Sequence, residues 1–275
     1  MLRRACEAWR RWRDDRICRK HAIPDALWDL TLARYPFLAW RSAEDQARLR
    51  RLTALFLARK EFSGARGFIV TDEIAVAVSA QAVLPVLNLG LDLYDGFIGI
   101  VMHSDAVVAQ REVTDEDGVV HRFEEELSGE AMHGGPVMLS WHDVDAAGNS
   151  DPWGYNVTIH EFAHVIDMAD GVADGVPALC GAQTRQAWLS VIEPAYSEFR
   201  QQVDADLPVS IDPYASESID EFFAVTSETF FVDPDGLRQS MPRVYSLLAG
   251  YFGQDPGAVP TPTNPDLDAR VTLAE

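Results

Sequence analysis

The sequence predicts an α+β fold with a helical N-terminal portion. Three observations carry that prediction: apolar residues at helical spacing through the first third, short strand-like pieces between Phe68 and Trp141, and helical spacing again beyond Asn156. With 275 residues, 47% hydrophobic and 24% charged, the chain can bury a substantial core and is not generally disordered. The expected organisation is a helical region over residues 1–66 packed on a main domain over 67–253, followed by a loose Pro- and Asp-rich tail over 254–275.

Each element has its own signal. The start, "RRACEAWRRWRDDRICRK", reads as a solvated basic helix with Trp9 and Trp12 packed inward, or else as a basic helix that docks on the acidic body, a partner or an anionic surface. "PDALWDLTLARYP" is a helix entered at Pro24, and "SAEDQARLRRLTALFLARKEF" a second one capped by Ser42. Gly64 and Gly67 then break the pattern. The uncharged run from Ile74 to Leu91 is interrupted by Gln81, Pro85 and Asn88 and lacks an aromatic belt, so it reads as a buried core helix and not a membrane span. "GFIGIVM", "AVVAQREV" and "GPVMLSW" are strand candidates, and Asp117-Gly118 in "TDEDGVVHRF" reads as a hairpin turn.

Charge and cysteine usage narrow the function classes. Residues 1–66 hold 16 Lys/Arg against 8 Asp/Glu, whereas residues 67–275 hold 7 against 35, giving the net charge of −20. A body this acidic repels phosphate backbones, which argues against nucleic-acid binding. Three widely spaced cysteines outline neither a disulfide framework nor a cysteine metal site. The arginine-rich start has no apolar stretch and no small-residue cleavage site, so a cytoplasmic protein is expected.

The chemistry is concentrated in "NVTIHEFAHVIDMADG". Asn156 is a good N-cap and Gly171 a good helix stop. Between them Ile159, Phe162, Ala163 and Ile166 share one side of the helix, and His160, His164 and Asp167 another. Histidines at i and i+4 present two imidazole nitrogens to one tetrahedral Zn²⁺, with one ion expected per chain; Mn²⁺ or Co²⁺ could substitute in vitro. Glu161 projects to the flank of that face, where a general base for a metal-activated water belongs. Asp167 can accept the free N–H of a ligating imidazole.

A third ligand is required, and no histidine follows His164. The best candidate segment is "SESIDEFFAVTSETFF", where Glu217, Glu221 and Glu228 fall on one helix face. Glu221, just before two phenylalanines, is the leading ligand. Ser218 and Glu221 also match a capping box, which would spend Glu221 on the helix start and leave Glu228 as the ligand.

"NVTIHEFAHVIDMADG", "LSGEAMHGGPVMLSWHDV" and "DPYASESIDEFFAVTSETFF" together resemble three blocks of the Mlc titration factor A family of zinc peptidases. The resemblance runs from about Trp28 to Tyr251 and includes "FLARKEFSG" and "LDLYDGFIGIVMHSD". It implies a zincin-like (gluzincin) catalytic domain and aminopeptidase-type activity. It also implies His160, His164 and Glu221 as ligands, Glu161 as base, and Tyr214 as a tyrosine near the metal able to support an oxyanion. One departure is Ser218-Ile219-Asp220 before the ligand glutamate, where the family often has Ser-Pro-Ala.

The expected function is therefore zinc-dependent hydrolysis of peptide bonds, with "SGEAMHGGPVMLSW" supplying an edge strand that pairs with the peptide substrate. Glu130 within it reads as a surface residue, although an acid there could meet a free amino group. The alternative, from the family's name, is a regulatory protein that binds and sequesters an Mlc-like transcriptional repressor, with peptidase activity secondary.

Overall fold

Periodic apolar faces and good caps turn most of the chain into helices around a small sheet. The computed structural model describes residues 2–114, 120–147, 154–179 and 181–258. The N-terminal helices are α1 (Leu2–Lys20), α2 (Asp25–Arg34), α3 (Pro36–Ala39) and α4 (Ala43–Arg59). As expected, Pro24 and Ser42 precede α2 and α4, and the Ser42 hydroxyl accepts the Asp45 N–H at 3.1 Å.

The strands are β1 (Glu61–Gly64), β2 (Gly99–His103), β3 (Val107–Thr114), β4 (Val120–Leu127), β5 (Gly129–Ala131) and β6 (Val137–Ser140). One sheet has the order β1-β2-β6-β5; its first three strands run parallel, and β5 is an antiparallel edge. β3 and β4 pair as a separate antiparallel hairpin, whose expected Asp117-Gly118 turn lies outside the described residues. Because β1 is a strand of the main sheet, the boundary expected between residues 66 and 67 falls next to a strand already built into it.

The remaining helices are α5 (Asp72–Val83), α6 (Trp141–Ala146), α7 (Val157–Asp167), α8 (Ala182–Asp204), α9 (Ile219–Val232), α10 (Pro234–Ser240) and α11 (Pro242–Phe252). The uncharged run forms α5 only as far as Val83, buried almost throughout, and continues as a turn before Leu91; no described helix is long and apolar enough to cross a membrane. One cluster of buried hydrophobic residues extends from Ile23 to Phe252. The expected loose tail begins with packed residues: Gln254 donates to the Leu84 carbonyl at 2.8 Å and Tyr245 to Asp255 at 2.5 Å, while residues 259–275 lie outside the described residues.

One expectation about α1 fails. Trp9 and Trp12 are 59% and 54% exposed, with Arg13 and Arg16 stacked over their rings. The helix meets α4 through its C-terminal half, where Ile17 and Cys18 are half-buried and Asp15 pairs with Arg51, so the indoles have no surface to pack on.

Candidate metal centre

Helix α7 is held at both ends and along one side. Asn156, with extended backbone, accepts the Ile159 N–H at 2.9 Å, and Gly171 closes the following turn in the left-handed region at φ 100°. Ile159, Phe162, Ala163 and Ile166 are completely buried. The Phe162 ring meets those of Tyr94, Phe56 and Phe97 edge-on at 5.0, 5.7 and 5.9 Å. Burying that side turns His160 and His164 to the opposite one.

Three donor atoms converge there. His160 Nε2 lies 3.1 Å from His164 Nε2 and 3.0 Å from Glu221 Oε2, and His164 Nε2 lies 3.4 Å from the same oxygen. Bonds of about 2.0–2.1 Å at tetrahedral angles separate donors by about 3.3 Å, which matches this triangle. Glu221 Oε2 is buried and makes no well-directed hydrogen bond. On the far side of the ring, Glu228 Oε1 lies 2.5 Å from His160 Nδ1. A carboxylate there takes the Nδ1 proton, so the neutral imidazole aims the Nε2 lone pair at the other two donors. Converging lone pairs repel unless a cation lies between them, so the donor set fits a divalent metal that accepts nitrogen and oxygen. Among the described residues, His160, His164 and Glu221 form the group able to hold a metal ion.

Helix α9 supplies both acids because Ser218 caps it by itself: its hydroxyl accepts the Glu221 N–H at 3.3 Å while the Glu221 carboxylate turns to the histidines. Glu217 precedes this helix, contrary to the longer acidic face expected. Glu228 is held in the core, also accepting the Asn156 N–H at 2.6 Å. Asn156 in turn donates to Gln81 Oε1 at 2.8 Å, so the polar interruption in α5 anchors the cap of α7.

The surrounding pocket, about 300 Å³, is lined by β5, α7, Met168, Ala173, Tyr214, Asp220 and Glu221. Glu161 is buried in its wall, and burial pushes its carboxyl up to about 7 while His160 and His164 pull the other way. Gly129 on β5 leaves room for it: a Cβ there would lie 2.5 Å from Glu161 Oε1. Glu130 is half-buried and lines the pocket instead of standing on the open surface. The Tyr214 hydroxyl donates to Glu221 Oε1 at 3.4 Å from the pocket rim, and its ring centre is 6.1 Å from that of His160.

Asp167 does a different job from the one expected. Its Oδ2 accepts the Gly175 N–H at 2.9 Å, and its Oδ1 has no hydrogen-bond partner. Gly175, at φ 70°, packs so closely that a Cβ would lie 2.5 Å from the Ile219 carbonyl oxygen. Asp167 thus ties the end of α7 to the segment crossing the start of α9, and the carboxylate on an imidazole N–H is Glu228. The sequence signals Asn156 as a cap and Glu228 as a candidate ligand, but not the contacts of Glu228 with His160 and Asn156 or of Gly129 with Glu161, because these partners lie far away in the chain.

Comparison with known proteins identifies the family. Residues 9–253 match the family model described as glucose-regulated metallo-peptidase M90. An uncharacterized protein of Synechocystis sp. is 34% identical over 253 residues, covering 90% of each chain. Mlc titration factor A of Cronobacter sakazakii is 33% identical over 238 residues, covering 86% of this chain and 88% of the relative. Mlc titration factor A of Salmonella typhi is 31% identical over 248 residues, covering 89% and 91%. A donor group of two histidines and a glutamate able to hold a metal suits a metallopeptidase, and the chain belongs to the glucose-regulated metallo-peptidase M90 family.

Proposed function

We propose that the protein is a zinc-dependent peptidase of the aminopeptidase type on a gluzincin-like domain, with His160, His164 and Glu221 as ligands. The observation that supports it is the convergence of three donors within 3.4 Å beside a buried Glu161. Zinc, when bound, supplies Lewis acidity for a water and for a scissile carbonyl. Glu161 takes a proton from the attacking water and returns it to the leaving amine. Tyr214, on the pocket rim, donates a hydrogen bond to the developing oxyanion. Glu228 fixes the tautomer and aim of His160. The edge of β5 offers backbone groups to an extended peptide, and Glu130 and Asp220 make the pocket acidic, suiting a free amino terminus.

The test is metal analysis of the purified protein together with a panel of aminoacyl and N-blocked substrates. Zinc at one per chain and hydrolysis of free-amino substrates are expected. Finding no metal-dependent hydrolysis at stoichiometric zinc would sink the enzyme reading, and preference for blocked substrates would replace aminopeptidase with endopeptidase action.

A second reading is favoured by the exposed Trp9 and Trp12 on a cationic helix. Relatives carry the name Mlc titration factor A, and this chain would likewise bind an Mlc-like repressor, with α1 as part of the contact. Glu161→Gln would then abolish hydrolysis while partner binding persists.

A further inference from the structure

Two adjacent acids at the start of α9 line the metal pocket with different partners. Glu221 turns its carboxylate to His160 and His164, whereas Asp220 makes no hydrogen bond or ion pair among the described residues. Asp220 is half-buried. Its place in the first turn suits the dipole of α9, but that alone would not bring it into the pocket wall. It belongs to the Ser218-Ile219-Asp220 segment in which this chain departs from the Ser-Pro-Ala common in its family.

A carboxylate drawn part-way out of water without a partner is unfavourable, and a cation beside it recovers the loss. None of the described residues lining the pocket is a lysine or an arginine, and its two histidines belong to the donor group, so that cation must come from outside the chain. A metal held by His160, His164 and Glu221 still leaves Asp220 without a partner. Glu130, which lines the same pocket, is already engaged within the protein.

A peptide cut after its first residue carries its ammonium two bonds from the scissile carbonyl carbon. With that carbonyl at the metal centre, the ammonium lies beside the donor group, and the Cα of Asp220 is about 3.8 Å from that of Glu221. Resting on the peptidase reading, we propose that Asp220 is a specificity-determining residue that receives the free amino group of the substrate and so directs cleavage to the first peptide bond. Its carboxylate accepts charge-assisted hydrogen bonds from the ammonium. An acylated nitrogen carries no charge and loses them.

The test uses Asp220→Asn, which keeps the shape of the side chain, and Asp220→Ala, so failure of one variant to fold leaves the other. Calorimetry at pH 7 compares alanine hydroxamate with N-acetylalanine hydroxamate on zinc-loaded protein, and kcat and KM are measured for alanyl p-nitroanilide. The unaltered protein is expected to bind the free-amino hydroxamate at least about 10-fold more tightly than the acetylated one. In both variants that ratio falls toward one, and KM rises by a similar factor while kcat and zinc content stay close to their starting values. A purely structural role at the start of α9 would weaken both hydroxamates alike and leave the ratio intact. A ratio near one in the unaltered protein, a ratio that survives in the variants, or no binding of either hydroxamate overturns the proposal. If the ratio behaves as expected and nothing is hydrolysed, the peptidase reading fails alone and Asp220 remains the amine site.

Discussion

Glu221 and Glu228 are two turns apart on α9, yet both reach His160, one at each ring nitrogen. Their surroundings separate their roles: Glu221 Oε2 faces the second histidine, whereas Glu228 is locked by the Asn156 N–H. Glu228→Gln, which removes the charge on the Nδ1 proton, is expected to weaken zinc binding by about 10- to 100-fold in a chelator competition. Unchanged zinc affinity would contradict the orienting role. Gly129→Ala acts on the base instead. Its Cβ would meet Glu161 Oε1 at 2.5 Å, so the carboxylate must move. The expected outcome is a loss of about 100-fold or more in kcat/KM with full zinc content, measured on the same protein sample. The histidine face of α7 was legible because spacing within one helix fixes direction. Glu221 could be narrowed to one of two acids because apolar neighbours mark the buried face. Glu228 on Nδ1, and Gly129 against Glu161, are contacts between remote segments, and nothing in local spacing encodes them.

At the scale of elements, α7 is positioned by its N-cap more than by its own propensity. Asn156 is fully buried and joins four partners: Ile159, His160, Gln81 and Glu228. Asn156→Ala removes the cap and leaves Gln81 Oε1 without its donor in the core. A destabilisation of about 2–4 kcal/mol is expected, read as a lower midpoint at unchanged slope in a denaturant titration. A loss below about 0.5 kcal/mol would mean that the cap does not hold this helix. Ser218 offers a contrast, since its hydroxyl serves only the start of α9 and sits at the half-buried helix entrance. The caps at Ser42, Asn156 and Ser218 could be read from the sequence because capping is local. The exposed indoles of α1 could not, because inward packing needs a partner surface and, among the described residues of that helix, it is Ile17 and Cys18 that pack against the core.

Over the whole molecule, the charge division seen in the sequence acquires a location. Helix α1 is cationic and carries two exposed tryptophans, while the acidic excess lies in the part that forms the pocket. Among the described residues the buried core begins at Ile23, and α1 meets it through the half-buried Ile17 and Cys18, with Cys18 and Asp15 also touching Arg51 of α4. The exposed Asp15–Arg51 pair contributes at most about 1 kcal/mol. The helix therefore contributes little described surface to the core, and its exposed indoles call for another explanation. Deleting residues 1–20 is expected to leave zinc content and hydrolysis of small aminoacyl substrates within about twofold, because the described ligand and pocket-lining residues all lie outside the deleted segment. The same deletion should abolish or weaken by more than about 10-fold the binding of an Mlc-like repressor, since exposed tryptophan and arginine side chains carry a large share of interface energy. That binding should also weaken with salt in the intact protein, as the arginines require. Retained, salt-sensitive binding after the deletion would move the contact to another surface. Loss of zinc or of hydrolysis would instead show that α1 supports the fold of the pocket.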